Sequence, residues 1–294
     1  MIKKRISIGQ IVLGIIMVLL ACAVIIPFLL ILGVSFSNEQ DIMLNGYKLI
    51  PEHFDLTAYK YVLQNPRDIL QAYKITIIFT IMGTFLTVFF TALIAYPISR
   101  RDMVGRNIIS YMLLISMLFS GGLAPTYILN TRFLHLNNTI WIYIIPSLLS
   151  PWYIFMMRTF FSQLPDSIVE AATIDGASQI RIFYKIIIPL SKPVIATIAV
   201  MTFVGKWNLW YESLLYIDDY TKVSLQYFLQ RMMKNIALIK EMNDMGMSMS
   251  TAITIPSETA RMAMAILVAG PILFVFPFFQ KYFVKGLTVG GVKG

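Results

Sequence analysis

The sequence predicts an all-α membrane protein with six transmembrane helices, and three observations predict it. Hydrophobic residues fill 57% of the 294 positions and charged residues 13%, which is more apolar surface than one soluble core could hide. The apolar residues gather into six runs, each reaching the roughly 20 residues that a helix needs to cross a hydrocarbon core of about 30 Å. Lys and Arg collect on alternate sides of those runs, as they do when a chain is threaded back and forth through a bilayer.

Along the chain, the first span runs from about Ile8 to Val34 and follows Lys3, Lys4 and Arg5. Its apolar run is nearly twice the length of a signal-peptide core, so it reads as an anchor that stays in place. The second covers about Ala72 to Pro97, the third Ile108 to Leu129, the fourth Thr139 to Phe161, the fifth Pro193 to Ile217 and the sixth Ala260 to Phe283. Gly121, Gly122 and Pro125 reshape the end of the third or let a neighbouring helix approach. Two connecting segments are long. Residues 35 to 71, rich in Asn, Asp, Pro and Tyr, read as an ordered cap. Residues 218 to 259 carry Met242, Met245, Met247 and Met249, either an adaptable binding surface or a loop packed over the end of the bundle.

With the amino terminus inside, segments 1 to 7, 98 to 107, 162 to 192 and the tail after 283, with their flanks, hold thirteen bases against four acids. The outer segments hold ten against eleven, and Lys206, within the fifth span, belongs to neither set. The net charge of +9 is therefore concentrated on one face. By the positive-inside rule both termini are cytoplasmic. Basic residues scattered beside spans are not the continuous patch that nucleic acid requires.

Several chemistries lack their residues. Cys22 is the single cysteine, so no disulfide or cysteine metal site can be built within the chain. His53 and His135 stand far apart with no second ligand at helical spacing. There is no phosphate-binding G-x-x-x-x-G-K-[ST] loop, no H-E-x-x-H and no G-x-S-x-G, so the chain has no recognised means of hydrolysing ATP. A secondary transporter would carry an intramembrane ionisable relay, for which only Lys206 and Glu212 qualify. A membrane-embedded enzyme would need a nucleophile with its base, or metal ligands, inside the spans, and none is found.

The segment EAATIDGASQIRIFYKIIIP, residues 170 to 189, interrupts the apolar pattern on the cytoplasmic side. Pro165 and Asp166 suit a first helical turn, one because its missing N–H is an orphan there, the other because a carboxylate favours the positive helix end. Gly176 accepts the left-handed conformation common just past a helix end. Ser178 can cap a second helix in which Ile180, Phe183 and Ile187 share a face, ended by Pro189 and Pro193. Ala171 and Ala172 leave a smooth surface beside the charge of Glu170. The expectation is a helix–turn–helix shaped to be gripped by a partner.

Trp207, Asn208, Trp210 and Tyr211 crowd the outer part of the fifth span. Aromatic faces beside an amide suit a sugar, whose C–H faces stack and whose hydroxyls need donors and acceptors. The same residues also suit an interfacial aromatic belt. Lys206 costs on the order of 3 kcal/mol at a span centre and so should have a partner or a wet cavity. A cation–π contact with Trp210 at i+4 and attraction of an acidic sugar are the two readings.

Glu170-Ala171-Ala172, Asp175-Gly176-Ala177, Phe183 and Ile188-Pro189 together resemble the EAA motif of permease subunits in ABC importers, with Ile188 where leucine is usual. The segments SGGLAPTYILN, MRTFFSQLPDS, GKWNLWYESLLYI and GPILFVFPFFQKYFVKGLTVGGVKG extend the likeness, over essentially the whole chain, to permeases for complex polysaccharide fragments. These occur mostly in Gram-positive bacteria. The resemblance implies a type I ABC importer fold, with residues 1 to 71 an amino-terminal helix and extracellular loop, 72 to 285 the transmembrane core and 286 to 294 a cytoplasmic tail. It implies a multi-pass protein of the plasma membrane that imports oligosaccharides and is not itself an enzyme. A permease for peptides or another small solute is the alternative. The implied partners are a second homologous permease chain, two copies of a cytoplasmic ATPase that binds ATP and Mg, and an extracellular sugar-binding lipoprotein. In that scheme Glu170, Ala171, Ala172, Asp175, Gly176, Ala177, Phe183 and Pro189 belong to the ATPase-coupling hairpin.

Overall fold

A computed structural model describes residues 8–245 and 256–290, and among these residues every regular element is a helix. Two compact units divide the chain: Met1–Pro66 with Leu229–Pro271, and Arg67–Phe228 with Ile272–Gly294.

In the first unit, α1 (Ile8–Ser35) contains the apolar stretch Gly9–Ser35, whose most apolar 18-residue window has a mean hydropathy of 3.3. Leu13, Met17, Leu19 and Val24 are exposed along it, as is Cys22, the pattern of a helix hydrophobic all round and solvated by lipid. The segment after it is the ordered cap that its composition predicts. The Asp55 amide donates to the Phe36 carbonyl at 2.8 Å, and the Phe36 ring stacks on Phe54 and Tyr59 at 5.3 and 5.0 Å. Two short helices, α2 (Glu39–Asn45) and α3 (Thr57–Val62), lie within it, and His53 Nδ1 meets Asp41 at 2.9 Å.

Glu39 ties this cap to a distant helix of the same unit. α14 (Ser257–Gly290) starts with unpaired amides, and Glu39 satisfies them. One oxygen accepts from Ser257 N, Ser257 Oγ and Glu258 N at 2.9–3.1 Å, and the other accepts from Thr259 N and Oγ1 at 2.9 and 2.6 Å.

The second unit is built on α4 (Pro66–Ser99). Pro66 and Asp68 open it, which starts the helix nearly two turns before the start expected at Ala72. Buried threonines at 76, 80, 84, 87 and 91 recur at i+3 and i+4 along one side. The next stretch is broken. α5 (Arg106–Leu118) and α6 (Leu123–Ile128), the latter extended by a π turn to Phe133, meet at 113° around residues 119–122. Neither α5 nor α6 contains a buried residue.

The region expected as the fourth span, 139 to 161, is helical only in part. Residues Ile140–Tyr143 form a 3-10 turn, and α7 is Pro151–Phe161, 11 residues. At 1.5 Å per residue α7 is roughly 16 Å long, too short to cross alone. Pro146 and Pro151 account for the break, since each lacks an N–H and pushes the residue before it out of the helical region. α8 (Asp166–Ile174), α9 (Gln179–Ile182) and α10 (Ile188–Leu190) follow, then α11 (Lys192–Trp207) and α12 (Tyr211–Tyr216). The fifth span therefore stops at Trp207 and resumes after a turn. α13 (Leu225–Asp244) contains the boundary between the units and leaves Met242 exposed, with Met245 exposed just beyond it. Met247 and Met249 lie outside the described residues.

Among the described residues, Gly9–Ser35 and Pro66–Ser99 are long and apolar enough to cross a membrane singly. Two bent pairs meet the same test as broken spans, Arg106–Leu118 with Leu123–Phe133 and Gln179–Leu190 with Lys192–Trp207. Two apolar cores serve the second unit. One packs Ala95, Tyr96, Met157, Phe161, Val169, Phe183, Ile187 and Ile198. The other packs Phe79, Ile142, Tyr143, Tyr216 and Val223.

The Glu39 clamp makes a pH-dependent prediction. Burial pushes the carboxyl up, but the donors of Ser257, Glu258 and Thr259 together hold it below its ordinary 4.5. Its stabilising effect is then complete above that value and is lost as pH falls through the lower folded-state value. Glu39→Gln should loosen the start of α14 by about 1–2 kcal/mol at neutral pH and abolish this acid sensitivity. Hydrogen exchange at the amides of Glu258 and Thr259, compared between pH 7 and solution well below the ordinary carboxyl value of 4.5, measures both.

Candidate functional site

The hairpin foreseen between residues 165 and 190 is present, and its chain reversal is made by Gly176 at φ +77°. The Gly176 amide donates to the Thr173 carbonyl at 3.0 Å and the Ala177 amide to that of Ala172 at 2.9 Å, so the end of α8 is closed by backbone bonds. Ser178 starts α9, its Oγ accepting from Arg181 N at 3.4 Å. A π turn over Phe183–Ile187 links α9 to α10, and the chain then bends by 77° into α11 at Ser191, between Pro189 and Pro193.

One side of the hairpin is anchored. Val169, Ile182, Phe183 and Ile187 are buried in the first core, where Tyr96 lies 5.2 Å from the Phe183 ring and 6.2 Å from Phe161. The other side is offered outward. Glu170, Ala171, Asp175, Gly176 and Pro189 are exposed, and Ala172 and Ala177 half-buried. Of the apolar stripe expected on Ile180, Phe183 and Ile187, Phe183 and Ile187 are buried and Ile182 joins them, while Ile180 is 72% exposed. Ile174, on the other arm, is 86% exposed. Both flank the turn, so two large apolar side chains stand exposed on either side of Gly176. Ile174 lies inside the recognised motif, but its outward direction depends on how α8 packs, which spacing alone does not give.

The residues expected on the substrate path divide into two sets. Lys206 is 3% exposed and Trp207 2%, both packed within the protein, with Trp207 stacked on Phe203 at 6.2 Å. Asn208, Trp210 and Tyr211 are exposed. Asn208 Oδ1 accepts from Gln226 Nε2 at 2.9 Å, and the Trp210 and Tyr211 rings meet edge to face at 5.6 Å.

Lys206 finds its partners elsewhere than Trp210. Its ammonium donates to the Tyr143 carbonyl at 3.2 Å and to Ser147 Oγ at 2.9 Å. The i+4 contact fails because α11 ends at Trp207, so Trp210 no longer lies one turn above Lys206 on a continuous helix. The stem runs across Gly83 of α4, where a Cβ would stand 2.7 Å from Cδ and Cε. Tyr143 is itself fixed. Its ring stacks on Phe79 at 4.3 Å, and its hydroxyl bonds Ser213 Oγ at 2.6 Å and donates to the Lys222 carbonyl at 2.9 Å. The chain thus holds a buried lysine with fixed hydrogen-bond partners and a helical hairpin anchored on one side and exposed on the other. No group of His, Cys, Asp and Glu suited to a metal ion occurs among the described residues.

A double-mutant cycle tests the Gly83 passage. Gly83→Ala should displace the lysine stem and lower stability by about 1–3 kcal/mol. In a Lys206→Ala background the same change should cost far less, and the difference in thermal midpoints gives the coupling.

Comparison with known proteins adds to this geometry. The family profile described as "Binding-protein-dependent transport system inner membrane component" matches residues 4–289. Protein LplC of Bacillus subtilis (strain 168) is 39% identical over 271 residues, covering 92% of this chain and 90% of that one. The polygalacturonan/rhamnogalacturonan transport system permease protein YtcP of the same organism is 33% identical, covering 95% and 96%. A chain of a bacterial ABC transporter involved in the import of the acidic polysaccharide alginate superposes with a TM-score of 0.80 at 25% identity, covering 96% of this chain and 99% of that one.

Proposed function

Because the chain belongs to the family of binding-protein-dependent transport system inner membrane components, we propose that it forms half of the pore of an ATP-driven importer for uronate-bearing oligosaccharides. The chain has the all-helical type I ABC permease fold, and it is a transport subunit, as its relatives are, with no catalytic role. Permeases of this family work with a partner permease, an ATPase and a substrate-binding protein.

The cargo class rests on one observation. A relative 33% identical is named for polygalacturonan and rhamnogalacturonan, and the structural neighbour for alginate. Polygalacturonan is a polymer of sugar acids, and alginate is an acidic polysaccharide. In the proposed arrangement six spans cross the plasma membrane with both termini cytoplasmic; α5 with α6, the region of α7, and α11 with α12 each serve as one broken crossing, and α9 with α10 stays on the cytoplasmic side as the second arm of the hairpin. An extracellular lipoprotein delivers the sugar. Asn208, Trp210 and Tyr211 supply exposed stacking and hydrogen-bonding groups, and the Lys206 charge beneath them favours an anion. Two copies of the ATPase, carrying the ATP and Mg, grip the hairpin at Glu170, Ala171, Ala172, Asp175, Gly176 and Ala177, while Phe183 and the other inward side chains pass the motion to the spans. The support for that grip is geometric: one side buried in the core, and Ile174 and Ile180 exposed around a rigid turn.

Vesicles holding the assembled complex, given ATP on the cytoplasmic side and no ion gradient, should accumulate oligogalacturonides. Accumulation that needs a gradient, or that takes peptides in place of sugars, would overturn the reading. Gly176→Val demands a positive φ of a β-branched residue, which costs roughly 1–2 kcal/mol per residue. Together with Glu170→Lys, it should abolish import while the chain still inserts, leaving ATP turnover lost or uncoupled from cargo. Lys206→Met should depress transport of a uronate-bearing oligosaccharide more than that of a neutral one of equal length, and the gap should narrow with salt. Equal loss for both would remove Lys206 from cargo selection.

A further inference from the structure

A basic cavity of about 250 Å3 opens where α4, α5, α7 and α8 end or begin. Arg100 and Arg101 follow the last residue of α4, Arg106 begins α5, and Arg158 lies within the last turn of α7. Asp166 is the carboxylate in its wall, and it pairs with Arg100 at 3.6 Å, as Asp102 does at 3.3 Å. Arg101, Arg106 and Arg158 have no carboxylate within 4 Å among the described residues. Arg106 Nη1 donates to the Arg100 carbonyl and Arg158 Nη1 to Ser110 Oγ, each at 3.3 Å. Those two bonds use few of the five donors each guanidinium offers.

Depth and lining indicate what chemistry the cavity accepts. Ser110 lies about one turn inside α5 and Arg158 about one turn inside α7, so the floor sits roughly 5 Å below the level at which these helices emerge. Phe161 and Leu164 add apolar wall beside the arginines. None of Glu170, Ile174, Gly176 and Ile180 lines the cavity, so it is distinct from the surface offered to the ATPase. We infer that this cavity binds the phosphate headgroup of an anionic phospholipid of the inner leaflet, tying the ends of the spans to the docking hairpin. The planar guanidinium fork matches a phosphate oxygen pair, and basic pockets between spans on the cytoplasmic side are suited to anionic headgroups. The choice of leaflet rests on the proposed orientation with both termini inside.

The test uses the whole complex, purified through a tag on this chain and placed in nanodiscs of phosphatidylcholine alone or mixed with phosphatidylglycerol. Native mass spectrometry reads the lipid retained. Wild type should keep phosphatidylglycerol in preference to phosphatidylcholine. Arg106→Gln and Arg158→Gln should each weaken retention about fivefold, the worth of one basic residue at an anionic surface. Arg106→Lys should keep most of it, and Arg132→Gln, exposed and outside the cavity, should change nothing. Retention unchanged in both glutamine variants would overturn the inference. So would displacement of the lipid by inorganic phosphate or glycerol phosphate at millimolar level, which would make it a free-anion site. Loss of the ATPase subunit from the variants with lipid retention intact would instead assign the cavity to a protein partner. Cargo-stimulated ATP turnover, measured on the same discs, reports on the permease reading separately, because the preference for phosphatidylglycerol does not depend on it.

Discussion

Between Thr139 and Ser150 the second unit carries a single 3-10 turn and otherwise irregular backbone in a region whose composition belongs in the membrane. Lipid offers no hydrogen bonds, so such backbone is tolerated only where the protein itself supplies partners. Lys206 and Tyr143 meet that demand together. The ammonium satisfies the Tyr143 carbonyl and Ser147, while the phenol reaches Ser213 and the Lys222 carbonyl. The same clamp resolves the opposite problem, a buried charge, because an ammonium taken out of water is costly unless hydrogen-bonded. Three elements are fixed relative to each other in consequence: α4 through Gly83, the segment 140–147, and α11.

Toward the other end of the same unit the constraint is apolar. The first core draws on α4, α7, α8, α9 and α11, so the hairpin is an extension of the packed helices. The coupling role proposed for the hairpin needs this property, since a rigid contact carries displacement and a loose loop absorbs it. The separation of roles is visible in single residues. Val169 faces inward and Glu170 outward, and Phe183 is buried while Ile180 is 72% exposed.

The membrane class and helical composition were legible in the sequence because the apolar runs are long and the charge bias is strong. The turn at Gly176 was equally legible, since few residues other than glycine accept φ +77° at low cost. Less legible were the breaks. A hydropathy window cannot distinguish one continuous helix from two helices meeting at 113°, because both average to the same value. Pro146 and Pro151 lie at the interruption before α7, but they did not announce it, since a proline inside a span is equally compatible with a kinked helix that continues.

What the sequence determined by itself is local and additive: which runs are apolar, where the basic residues fall, which turn requires glycine, and the spacing of the hairpin motif. What the tertiary structure alone decided is who meets whom. The Glu39 clamp on the start of α14 joins residues more than 200 positions apart, and Lys206 turns to a carbonyl 63 positions away in preference to an aromatic ring four positions on. The physical reason is the same in both cases. A buried polar group takes whichever partner the packing brings within about 3 Å, and that proximity is created by the fold as a whole, after the local elements have formed.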